Sequence, residues 1–105
     1  MNLFCVKTNG PFPQKGPGKS VFHDEGAIKV QTIMLRAGQS IPPCAMDYDV
    51  MFYVVKGTGT LVVNGRTIEL QAGSGVVVPK ETKSREMRAG EDLTILAVQG
   101  RTERS

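Results

Sequence analysis

The sequence contains no tryptophan, one histidine and two cysteines, and aromatic residues make up only 6% of it. A lone histidine, His23, cannot build a multi-imidazole metal site. The two cysteines, Cys5 and Cys44, lie far apart and form neither a CxxC pair nor a disulfide framework. No apolar run approaches the roughly 20 residues needed to span a bilayer, so a membrane is not an expected partner. The start, Met1 to Lys7, lacks the long apolar stretch of a signal peptide. A reducing cytoplasm is therefore the expected location, with both cysteines as thiols. A basic stripe interleaved with aromatics is also missing. The net charge of +3 comes partly from Arg101 and Arg104 at the end of the chain. Nucleic acid is accordingly not an expected partner.

Turn residues, by contrast, are plentiful. Twelve glycines and six prolines punctuate 105 residues, enough for one domain with many reversals. No window shows apolar residues at three-and-four spacing with caps, so no helix is expected. Short β-rich runs recur instead. From Ile28 to Leu35 the residues alternate: Ile28, Val30, Thr32 and Met34 form a mainly apolar face, and Lys29, Gln31, Ile33 and Leu35 a mixed one. That pattern predicts a long strand with one side in the core. Further strands are expected at Met51–Val55, Thr60–Val63, Thr67–Leu70, Val76–Val78 and Leu93–Val98. Asn64-Gly65 between two such runs is the strongest hairpin signal in the chain. Leu3–Val6 can form a short first strand. The Gly/Pro-rich stretch after it, Asn9 to Gly18, can carry neither ladder nor helix. Many short strands with regular turns indicate a sandwich or barrel.

The glycines and prolines also stand in a frame that resembles the cupins. The first cupin motif runs Gly, five residues, His, one, His, three or four, Glu, six, Gly. Here Gly38, Cys44, Met46, Val50 and Gly57 keep that spacing. The second motif runs Gly, five residues, Pro, one, Gly, two, His, three, Asn, and the matching residues are Gly73, Pro79, Glu81, Ser84 and Arg88. The resemblance implies an all-β fold, a double-stranded β-helix or jelly roll. It would comprise an N-terminal strand and arm over 1–26, the barrel over 27–99 and a tail over 100–105. Cupins commonly pair, so a homodimer is expected, with the first strand reaching across the Gly/Pro-rich arm to a neighbour's sheet.

The chemistry departs from that frame. In metal-binding cupins the motif imidazoles and carboxylate converge on one cation. Cys44, Met46, Val50 and Ser84 stand at those places, and none keeps the family residue. Divalent Mn, Fe or Ni favours N and O donors, and valine has no donor atom. No metal or other cofactor is therefore expected. Alternation places Val50, Phe52 and Val54 on one inward face. Cys44, Met46, Val50, Phe52 and Ser84 are then the expected pocket for a small molecule, or the filling of a packed barrel.

Alternatives of other classes remain at this point. A soft-metal site could use Cys44 and Met46, with Met51 or Cys5 adding sulfur. A catalytic Cys44 would need a base, and His23 is the only imidazole. Acid–base chemistry of the sugar isomerase or epimerase type would draw on Asp47, Tyr48, Asp49 and Tyr53. The run from Lys80 to Arg88 alternates charges and is expected as a solvated strand and turn, although Lys80, Lys83 and Arg85 could line the barrel mouth and attract an anion. The expected function is a non-catalytic small-molecule-binding domain, a sensor or accessory protein.

Overall fold

The computed structural model describes residues 3–6, 18–44, 48–80 and 82–100, without the side chains of 42–44. Nine strands follow in order: β1 Gly18–Glu25, β2 Ile28–Leu35, β3 Ser40–Cys44, β4 Val50–Lys56, β5 Thr58–Val63, β6 Arg66–Gln71, β7 Gly75–Val78, β8 Arg85–Ala89 and β9 Leu93–Gly100. There is no helix among the described residues. A five-stranded sheet runs β1-β2-β9-β4-β7 and a four-stranded sheet β3-β8-β5-β6. Every pairing is antiparallel. Strands adjacent in space but distant in sequence, such as β2 with β9, are what a jelly roll requires.

Turn chemistry explains the connections. Asn64 and Gly65 take φ of 49° and 83°, the double left-handed pair of a type I′ hairpin between β5 and β6. The frame glycines Gly38, Gly57 and Gly73 also have positive φ. At Gly57 a second constraint applies, because an added Cβ would meet the carbonyl oxygen of Asp92. The spacing of these glycines is thus a record of backbone requirements.

The core lies between the sheets. It takes Ile33 and Leu35 from β2, Ile41 from β3, Val50, Phe52 and Val54 from β4, and Leu93, Ile95 and Ala97 from β9; Leu61, Leu70, Val78, Met87 and Ala89 complete it. The β2 strand shows which face won. Its mixed face supplies the core, through Ile33 and Leu35, while Val30 and Thr32 are buried on the other side and Ile28 is exposed. Alternation identifies two faces but not which one turns inward.

Two expectations are corrected. Leu3–Val6 forms no strand; Phe4 stacks instead on Phe22 of the same chain, with ring centroids 4.5 Å apart. The five-stranded sheet also starts before Ala27, since β1 pairs with β2 from Gly18 to Glu25. The sequence hid β1 because its apolar residues are few and a register shift between Val21 and His23 breaks the alternation. The stretch Lys7–Pro17, with most of the arm, lies outside the described residues.

Candidate functional site at the mouth of the barrel

The inner face divides along its length. On β2, the core positions Ile33 and Leu35 continue on the same face through Gln31 to Lys29. On β9 the inward row Leu93, Ile95, Ala97 ends in Gln99, directly opposite Lys29. On β4 it ends in Val50, opposite Gln99 on one side and Val78 on the other. Lys29, Gln31 and Gln99 are half-buried. Along these rows of β2, β9 and β4, the polar groups thus lie toward one end, the end where β4 begins and β7 stops.

From the opposite sheet, β8 sends Arg85 into the same region. Met87 and Ala89 are buried, and Arg85 shares their face, opposite Val63 on β5 and Cys44 on β3. Its guanidinium carbon lies 5.4 Å from the centre of the Phe52 ring, and its Nη1 atom is buried. Phe52 is itself only 1% exposed. A planar cation over an aromatic face is attracted to the ring's quadrupole. The expectation of a solvated segment from Lys80 to Arg88 therefore fails at Arg85, while Lys80, Lys83 and Arg88 are exposed.

Side-chain clamps hold this mouth. Asn64 Oδ1 accepts hydrogen bonds from the backbone N–H groups of Lys83 (3.1 Å) and Ser84 (3.0 Å), and Asn64 N–H donates to the Ser84 carbonyl at 2.9 Å. The hairpin tip so fixes the residues leading into Arg85. Asp49 accepts from Lys80 N–H through Oδ1 at 2.7 Å, and its carbonyl accepts from Gly100 N–H at 2.8 Å. Thr82, buried, donates to the Pro79 carbonyl at 2.6 Å.

The other sequence-derived candidates separate. Val50 and Phe52 lie side by side on the inward face of β4. Ser84 is half-buried just ahead of β8, its backbone tied to Asn64. The side chains of Cys44 and Met46, and all of Asp47 and Glu81, fall outside the described residues. Met51 alternates with Val50 and Phe52, so it points out of the barrel and cannot add sulfur to an internal site. Cys5 is exposed. Tyr53 also faces outward and is 41% exposed, while the carboxylate of Asp49 is engaged in joining β4 to the loop after β7. Neither is placed to act as acid or base inside the barrel. His23 sits on β1 opposite Val30, its Nε2 donating to the Glu25 carbonyl at 2.9 Å. The contribution of Gln31 and Gln99 was not anticipated; continuing the alternation outward from the core residues would have found it.

The model of the cupin domain matches residues 31–98. The chain belongs to the cupin family. Solved structures agree on the fold. An RmlC-like cupin protein from Desulfovibrio desulfuricans superposes with a TM-score of 0.84 at 21% identity, covering 95% of this chain and 96% of that one. A conserved protein of unknown function from Streptococcus pyogenes gives 0.81 at 17% identity, covering 99% and 95%. Salicylate 1,2-dioxygenase from Pseudoaminobacter salicylatoxidans, in adducts with gentisate, gives 0.76 at 21% identity, covering 85% of this chain but 26% of that one. No curated protein matches the sequence.

Against the metal of its family, this cupin's described residues do not fit. Val50 stands where the motif has its carboxylate, 4% exposed and packed in the core. Arg85 brings a permanent positive charge beside that position's neighbour on β4, Phe52. No group of three or more His, Cys, Asp or Glu among the described residues is arranged to hold an ion. A divalent cation here would lack its anionic donor and face a fixed guanidinium.

Proposed function

We propose that this cupin binds a small molecule at the mouth of its barrel through protein side chains alone, as a non-catalytic sensor or accessory domain. The observation that carries the reading is the pairing of Val50, buried at the family's carboxylate position, with Arg85 laid over Phe52. Together they replace a cation-and-carboxylate centre with an apolar wall and an organic cation. Half-buried Gln31 and Gln99 on the same inner face supply amide donors and acceptors. A concave, mainly apolar surface with a few polar groups is the usual form of a small-molecule site. The dioxygenase shares the barrel, but a shared barrel does not carry its reaction.

Elemental analysis tests the metal-free part. Protein purified without chelators is expected to hold far less than one equivalent of Mn, Fe, Ni or Zn. Close to one equivalent, lost on replacing Cys44 and Met46, would overturn it.

A further inference from the structure

We propose that Asn64 is a site of covalent ageing: its side-chain amide is lost by cyclisation onto the backbone of Gly65, and the native hairpin holds that reaction back. The proposal concerns the tip between β5 and β6 and is independent of what the barrel binds. Its first support is the sequence. Asn64 is followed by glycine, which has no side chain to obstruct its own backbone nitrogen. Both residues are exposed, so water reaches them. In the reaction the Gly65 nitrogen gives up its proton and attacks Cγ of Asn64. A C–N bond forms and negative charge passes to Oδ1. On collapse the Cγ–Nδ2 bond breaks. Ammonia leaves with the proton given up by Gly65, and a five-membered cyclic imide remains. Water then opens the imide at either carbonyl. One product is aspartate with the ordinary linkage. The other is isoaspartate, whose main chain continues through the former side-chain carbon.

The second support is geometry. Asn64 has a φ of 49° and is the first residue of the type I′ turn. In the left-handed conformation the next nitrogen lies on the far side of the Cα–C bond from Cβ. Attack needs the reacting atoms within about 3–3.5 Å, so the native backbone keeps the nucleophile out of range. The side chain is held as well. Its Oδ1 accepts from Lys83 N–H at 3.1 Å and Ser84 N–H at 3.0 Å, and Asn64 N–H donates to the Ser84 carbonyl at 2.9 Å. Two N–H donors on Oδ1 would also stabilise the charge that develops there during attack, as an oxyanion hole does. They can do so only once the nucleophile is in range. Position therefore decides: the donors stabilise the intact amide, and cyclisation waits for the tip to open.

The third support is what the products would do. Isoaspartate adds a carbon to the main chain of a two-residue loop whose flanks, Val63 and Arg66, are directly paired. Its Cγ belongs to the main chain, so the side chain that caps Lys83 and Ser84 no longer exists. Aspartate with the ordinary linkage keeps an oxygen acceptor in the same place. One product thus preserves the clamp on the residues leading into β8, and the other releases it.

Peptide mass spectrometry of the full chain, incubated natively and in denaturant at mildly alkaline pH, tests the proposal. Asn9-Gly10, the other such pair in the sequence, controls for the chemistry in denaturant. Native Asn64 is expected to convert at least about tenfold more slowly than denatured Asn64, the effect of two hydrogen bonds of ordinary net strength. Equal rates would overturn the protection. A denatured Asn64 that survives while Asn9 converts would overturn the assignment of the site. Hydrogen exchange isolates the cause. The Lys83 and Ser84 amides are expected to be protected by a factor of the same order. Amides that exchange freely in a chain resisting conversion would overturn the clamp as its reason. The same measurement separates the products: Asn64→Asp is expected to keep that protection, and the purified isoaspartate form, folded or not, to lose it. Isoaspartate protein with undiminished protection would overturn the release of the clamp.

Discussion

The two ends of this barrel are built from the same strands to different ends. At one, Leu35, Val54, Leu61 and Leu93 meet at 0% or 1% exposure. The chain around them is tied by backbone bonds such as Gly38 N–H to the Ala89 carbonyl, and by Ala37 N–H to Asp92 Oδ1 at 2.9 Å. Gly57 lies so near Asp92 that no side chain fits between. At the other end the inward rows of β2 and β9 turn polar at Gln31, Lys29 and Gln99, and Arg85 enters from β8. A packed end contributes stability through burial and close contact. A polar, half-buried end contributes less and makes sense where something else is to be bound. Phe52 stands at the border, core residue to one side and support for Arg85 to the other.

Removing that border residue should have the largest effect. Phe52→Ala is expected to cost about 3–5 kcal/mol, as truncations of buried aromatics do. Leu35→Ala at the packed end should cost about 2–5 kcal/mol through the cavity it leaves. Chemical denaturation measures both. Only Phe52→Ala should also disturb the mouth, seen as a shift of the Arg85 Nε–H resonance in protein that remains folded. A loss below about 1 kcal/mol for Phe52→Ala would mean that the ring is not a supporting element of the core.

Charge placed beside Phe52 gives the next largest effect. Val50→Glu buries a carboxylate in an apolar setting and is expected to destabilise the protein by about 2 kcal/mol. Arg85 should relieve part of that. In an Arg85→Met background the same substitution should cost about 1 kcal/mol more, a coupling measurable by a double-mutant cycle. Identical costs in both backgrounds would place Arg85 beyond reach of position 50 and detach the two ends of the proposed pocket wall.

Much of the barrel was legible because its constraints are local. Asn64-Gly65 demands a type I′ turn, the frame glycines demand positive φ, and the runs at β4, β5, β6, β7 and β9 are β-rich between turn residues. Strands β3 and β8 were harder to see. Pro42 and Pro43 interrupt the first, and charged residues alternate through the second. The inward set Val50, Phe52 and Val54 followed from alternation alone. Arg85 was visible as a cation near the motif, but its direction was not. That depends on the register of β8 against β5, a contact between residues more than twenty positions apart. The inward face of β2 was hidden for a related reason: its polar half belongs to the mouth, so the face that supplies the core looked like the less apolar one.

That last point yields the smallest predicted effect and the sharpest test of the two-ended description. Gln31 and Ile33 are neighbours on one face of one strand, opposite Ala97 and Ile95 on β9. If the mouth is kept polar for binding, Gln31→Leu should change stability by no more than about 0.5 kcal/mol, because no packed partner is displaced and no buried group loses its bond. The reverse change one step inward, Ile33→Gln, should cost about 2 kcal/mol or more, since Ile33 is 4% exposed and an amide there would be desolvated. Equal stability costs at the two positions would mean that the barrel is packed alike along its whole length. The polar residues at the mouth would then be part of the core, and the space assigned to a ligand would be filled by the protein itself.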